Sequence, residues 1–137
     1  MRKDIALPKV KDVGVAIVKE LNKEKTSEIF NVYLINFGIV ELENVLVTSR
    51  GYGINRNSGE SVKTSILRHG LGSVQPKKYT KIEPIMENVF GITNEFWLSY
   101  YIKRQVFDKK FVFLAETVNP SNFIKIPIIE KQGVLIK

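Results

Sequence analysis

The chain holds one histidine, His69, no cysteine, and aspartates only at positions 4, 12 and 108. That inventory limits the available chemistry. Zinc sites are built from several histidine and cysteine ligands, so the usual types are out of reach. A calcium or magnesium site needs clustered acids. The nearest candidates, Glu41 with Glu43 and Glu83 with Glu87, follow no metal-loop spacing. A nucleophilic triad would have to join His69 to Asp4, Asp12 or Asp108, and no G-x-S-x-G elbow presents a serine. Two carboxylates acting as acid and base remain open, with nothing to single out a pair. A hydrolase-type enzyme using His69 or a carboxylate pair is therefore the third-ranked reading.

His69 lies in SILRHG, residues 65–70, which resembles the Arg-His-Gly motif of the histidine phosphatases. The resemblance implies His69 as the phosphorylated nucleophile and Arg68 as a phosphate clamp. The family uses a second histidine, carries the motif on the first strand of an α/β fold, and completes the site with helices. This chain has a single histidine and a mid-chain motif, and no helical half follows it.

TSRGYGINRNSGE, residues 48–60, could cradle a phosphate. A dinucleotide fingerprint needs G-x-G-x-x-G between a strand and a helix; Gly51 and Gly53 fit, but Arg56 stands at the third position. The following SVKTSILR, 61–68, alternates as a strand. The stretch therefore reads as a strand end, a glycine turn starting at Gly51, and a second strand. Backbone amides of such a turn can still form an anion nest. Arg50, Arg56, Arg68 and His69 are the candidate anion-binding residues. Odd-even counting places Lys63 on the face opposite Arg68, so not all the cations converge.

The second candidate surface lies in NEFWLSYYIKRQV, 94–106. Alternation turns Phe96, Leu98, Tyr100 and Ile102 inward and Trp97, Tyr101 and Lys103 outward, with Arg104, Lys109 and Lys110 close in sequence. An aromatic and basic sheet face can stack bases and follow phosphates. It can equally be buried by a second sheet or by a partner. Trp97, Tyr101 and Lys103 are the candidate partner or nucleic-acid residues.

The elements that carry these residues are strands. Period-two alternation and Val, Ile, Phe and Tyr content mark 13–21, 28–36, 40–49, 61–68, 78–85, 94–106, 109–118, 122–130 and 133–137. Pro84 suits the fifth to a sheet edge. Turn signals fall between the strands, among them NKEKTS, NFGI, HGLGSVQP, FDKK, NPSN and KQG. Residues 12–25 also admit a helix starting at Asp12, weakened by Gly14 and by the Val and Ile content. The pattern predicts an all-β fold: one β-sandwich domain over 1–137 with roughly seven to nine mostly antiparallel strands.

INFGIVELENVLV, 35–47, resembles the turn and strand of bacterial immunoglobulin-like sandwich domains through Asn36, Gly38, Leu42, Asn44, Val45 and Val47. The resemblance covers about a tenth of the chain and implies an immunoglobulin-like architecture without an activity. VLVTSRGYG, TSILRHGL and DKKFVFL are similar to segments of short bacterial proteins labelled phosphoribosylpyrophosphate synthetase. The paired-aspartate, Thr-Gly loop that such chemistry requires does not occur in this sequence.

The totals point the same way. With 137 residues, 44% hydrophobic and 26% charged, the chain can bury a core without disulfides or a metal. The N-terminal MRKDIALPKVKDVG has no apolar core of a secretory signal, and no apolar run reaches the length of a membrane span. A cytoplasmic protein with no membrane partner and no cofactor is expected. A net charge of +7 and a pI near 9.6 favour anionic partners, although the cations are spread along the chain. The leading functional reading is a small non-enzymatic binding or assembly module, a homo-oligomer or a protein's partner. The alternative is a nucleic-acid or phosphate-ligand binder using the basic loops.

Overall fold

The computed structural model describes residues 9–137; Asp4 and most of the N-terminal stretch read above lie outside them. Two antiparallel sheets face each other as a β-sandwich. In chain order the strands are β1 (Val13–Leu21), β2 (Glu28–Asn36), β3 (Leu42–Ile54), β4 (Ser61–Lys63), β5 (Leu67–Val74), β6 (Tyr79–Ile85), β7 (Thr93–Ile102), β8 (Gln105–Phe113), β9 (Ile124–Lys125) and β10 (Gln132–Ile136). Sheet I has the order β6-β2-β1-β10-β9. Sheet II has the order β4-β3-β7-β8, with β5 also paired to β3, antiparallel throughout. The chain crosses from sheet I to sheet II at Asn36-Phe37-Gly38. There the Asn36 side chain accepts from the Gly38 N–H at 2.9 Å and donates to the Val40 and Val74 carbonyls.

Alternation sorts each strand into two faces. Val13, Val15 and Ile17 of β1 and Val32 and Leu34 of β2 meet Val45, Val47, Phe96, Leu98, Tyr100, Phe111 and Phe113 of sheet II in the main core. The opposite face of sheet I is buried as well. Ala16, Val18 and Ile35 pack under Ile126 and Ile129, so the 126–131 segment folds across that face and forms a second, smaller core. This double burial explains the near-continuous apolar run of β1 and removes the helix alternative for 12–25. A salt bridge of 2.7 Å between Lys131 and Glu20 fastens the covering segment. Glu20 also accepts from Tyr33 Oη at 2.6 Å and from the Asn31 amide.

Several expected boundaries move. Strand β3 does not stop before Gly51 but runs to Ile54, because Gly51 and Gly53 are strand residues on which Ile92 packs. A Cβ at Gly53 would stand 2.8 Å from Ile92 Cγ2, so the glycine admits a close approach and is not a turn residue. The turn itself is Asn55–Glu60, closed by an Asn55 N–H to Glu60 carbonyl bond of 2.8 Å and by Gly59 at φ +74°. The expected strand 61–68 breaks at 64–66 into β4 and β5, which lie end to end along one edge of β3. The break resets the parity: Lys63 pairs with Tyr52 and Arg68 with Thr48, so both lie on the same face, against the odd-even count. The glycines of HGLG lie inside β5. Gly72, at φ +69°, sits opposite Val45 beside a bulge at Asn44, φ +48°. FDKK lies within β8; the hairpin turns before it, at Lys103 and Arg104, both with positive φ. Strand β6, with Pro84, is an edge strand of sheet I as expected. Among the described residues no helix is long and apolar enough to cross a membrane.

Candidate functional site

The outer faces of the two sheets differ. That of sheet I is roofed by residues 126–131. On the outer face of sheet II, side chains of β3, β7 and β8 project away from the core. Leu46 is 57% exposed, Trp97 49%, Tyr101 40% and Val106 39%.

Register orders this face into rows. One row runs Arg68, Thr48, Trp97, Lys110 across β5, β3, β7 and β8. The next row toward the β7–β8 turn runs Gly70, Leu46, Ser99, Asp108, and beyond it lie Glu43, Tyr101 and Val106. On the other side Arg50 faces Glu95, and Tyr52 lies between Lys63 and Thr93.

Glu95 organises this layer. It is only 4% exposed although it points outward, because its neighbours close over it. Its carboxylate lies 3.2 Å from Arg50 Nε and 3.7 Å from Lys110 Nζ, and accepts from Tyr52 Oη at 3.0 Å. That hydrogen bond, with some burial and the carboxylate charge, pushes the Tyr52 phenol above its ordinary value. Arg50 lies over the Tyr52 ring at 5.3 Å and Lys110 over Trp97 at 5.1 Å. Tyr52 is thus held directly, and Trp97 through Lys110, by a buried acid, at little further entropic cost on contact with a partner.

The anion candidates are dispersed. Arg50 is engaged by Glu95. Arg56 sits on the β3–β4 loop and pairs with Glu116 at 3.2 Å. His69 points between the sheets and donates from Nε2 to Glu83 Oε1 at 2.7 Å. Arg68 lies on the outer face of sheet II and has no ion-pair partner among the described residues. Trp97 and Tyr101 project outward as the alternation predicts. Lys103 lies in the β7–β8 turn, where its N–H donates to Glu43 Oε2 at 3.4 Å.

His69 belongs to a cluster hidden from sequence spacing. Ser49 Oγ donates to the same Glu83 oxygen at 2.6 Å, so one carboxylate on β6 holds a serine on β3 and a histidine on β5. A cleft of about 370 Å³ opens beside it, lined by Thr64, Met86, Asn94 and Phe96. Ser49 and His69 both donate to Glu83, which places the acid between them; in a triad the histidine would accept from the serine. The cluster ties the edge strand of sheet I to sheet II. Glu83 and Glu87 do not form an acid–base pair around this cleft: Glu87 does not line it. Glu41 accepts from Gln75, and Glu43 turns to the outer face of sheet II. Among the described residues no three His, Cys, Asp or Glu side chains come together as a metal site.

Comparison with family models, with curated proteins and with solved structures finds no match to this chain.

Proposed function

We propose that the chain is a non-enzymatic binding and assembly module that docks through the outer face of sheet II. One contrast carries this reading. The protein covers the centre of the outer face of sheet I with its own residues 126–131, leaving Ile29 and Tyr79 exposed only at its margin, whereas Leu46, Trp97, Tyr101 and Val106 stand exposed across the centre of the outer face of sheet II. Aromatic residues with a cationic rim, held by a buried acid, have the composition of an interface centre. An immunoglobulin-like classification and a cytoplasmic setting belong to the same proposal. The Asn36–Gly38 turn leading into β3 supports the first and the cysteine-free composition the second.

The test is site-specific photo-crosslinking. A photoreactive side chain placed at Trp97 or Tyr101 should crosslink in the expressing cell, whereas one at Leu21 or Met86, more exposed but off this face, should not. Equal yields at all four positions would contradict the reading.

A second reading, nucleic-acid binding, draws on Arg68 without an acid partner in the Trp97 row and on Lys63 and Arg104 at the margins. Lys110 already covers one face of the Trp97 ring, which favours a protein partner over a stacked base. Retention of an oligothymidylate that weakens steeply with salt would reverse that order; absence of binding at low salt would remove it.

A further inference from the structure

We infer that the partner of this face is a second copy of the chain, related by a twofold axis that runs between the two stacked faces, parallel to the sheet and perpendicular to its strands, midway between the Trp97 and Ser99 rows. The inference rests on the docking reading above and adds the occupant and its geometry.

The charges of the face are divided along the strands. Toward the β7–β8 turn lie two carboxylates, Glu43 and Asp108, on adjoining rows. Toward the β3–β4 loop the adjoining rows carry three cations, Arg50, Arg68 and Lys110, against the one carboxylate of Glu95. Lys103 and Arg104 stand past these rows, in the β7–β8 turn, so the opposition lies in the strand rows themselves: the Asp108 and Glu43 rows carry only carboxylates and the Lys110 and Arg50 rows an excess of cations, the self-complementarity an isologous contact requires.

Two twofold axes keep the strands of the two copies aligned, and charge decides between them. An axis parallel to the strands keeps the rows and exchanges the columns. It sets Arg68 of one copy over Lys110 of the other, like charges face to face, while the Glu95 that falls under Arg50 is buried beneath its own partners and offers no exposed carboxylate. The perpendicular axis keeps the columns and reverses the rows. It sets Asp108 over Lys110 and Glu43 over Arg50, each on its own strand. Side-chain sizes follow the same axis: Trp97 falls over Ser99, and Arg68 falls over Gly70, which has no side chain of its own and is flanked by Leu46. Sheets stacked face to face with nearly aligned strands are an ordinary packing.

The face spans about 30 Å by 19 Å, roughly 570 Å² per copy, from strand spacing and rise per residue. That lies toward the lower end of specific interfaces, the size of weak and transient contacts.

The experiment measures mass by sedimentation against concentration for the wild type, for Asp108→Lys, for Lys110→Asp, and for an equal mixture of the two variants. Circular dichroism and melting confirm that each variant is folded. The wild type should move from the 15.7 kDa monomer to twice that mass as concentration rises. Each single variant should weaken the dimer at least about tenfold by placing like charges opposite each other. The mixture should restore it, since lysines at 108 and 110 of one chain meet aspartates at both positions of the other. A mixture no tighter than the variants alone would overturn this geometry. A monomeric wild type that still crosslinks through Trp97 to a different protein would overturn the second copy but leave the docking face standing. A monomer without Trp97 crosslinks would remove both.

Discussion

Arg50 on β3 and Glu95 on β7 are cross-strand partners, with Arg50 Nε 3.2 Å from Glu95 Oε1 and the carboxylate almost wholly buried beneath Arg50, Tyr52 and Lys110. The acid is shielded by its own partners, although it stands on an outward-pointing position. It fixes the side chains that flank Trp97.

Removing that acid should be costly where removing an exposed one is not. Glu95→Gln should destabilise the protein by about 1–2 kcal/mol, because a charge-assisted acceptor is lost while half-exposed Arg50 and Lys110 still reach water. Glu116→Gln, which breaks the exposed pair with Arg56, should change stability by less than about 0.5 kcal/mol. Urea unfolding of the two variants measures the difference.

Acid should loosen the roof over sheet I. Burial pushes the Glu20 carboxyl up, but hydrogen bonds from Lys131, Tyr33 and Asn31 and the Lys131 charge outweigh it and hold the group below its ordinary value of 4.5. A depressed carboxylate stabilises the fold above its unfolded value, and this contribution is lost as pH falls below about 4.5. Tyr33 adds an alkaline limb. Burial and the bond to Glu20 raise its phenol, so stability falls as pH rises past its ordinary value of 10. Melting temperature against pH should show both limbs, and Glu20→Gln should flatten the acidic one.

The Ser49–Glu83–His69 cluster should act as an edge latch. Glu83→Ala leaves the buried Ser49 hydroxyl without its acceptor and should cost about 1–3 kcal/mol. Adding Ser49→Ala should recover part of that loss in a double-mutant cycle. Amide exchange should quicken in β6 more than in β1, the centre of sheet I.

The β7–β8 turn carries strain that substitution can relieve. Lys103 and Arg104 hold φ values of +46° and +68°, a conformation that Asn-Gly adopts more readily. Lys103→Asn with Arg104→Gly should stabilise the protein by about 1 kcal/mol, read from the urea midpoint.

The all-β pattern and most strands are legible because alternation is local, and so is the outward direction of Trp97 and Tyr101; the expected strands 94–106 and 122–130 are not, since the first runs across the β7–β8 turn and the second is a strand only at Ile124–Lys125. Residues that work through register are not legible either. Glu95 reads as one more charged strand residue until β3 and β7 are aligned with Arg50 opposite it. His69, Glu83 and Ser49 are far apart in sequence and meet only where the two sheets close. The Gly51 and Gly53 pair looked like turn chemistry because close packing, here against Ile92, leaves the same residue type as a turn. Odd-even counting puts Lys63 on the wrong face because it runs through a strand that breaks at 64–66. The covering of sheet I by 126–131 left only a weak trace, since two isoleucines at positions 126 and 129 look like strand residues.

Hydroxyl-radical footprinting of the protein in the expressing cell, compared with the dilute purified chain, tests whether the outer face of sheet II is a docking surface. Trp97 and Tyr101 should be protected together in the cell while Met86, 72% exposed and outside the face, reacts equally in both. Equal reactivity of Trp97 and Tyr101 in the two settings would contradict the account.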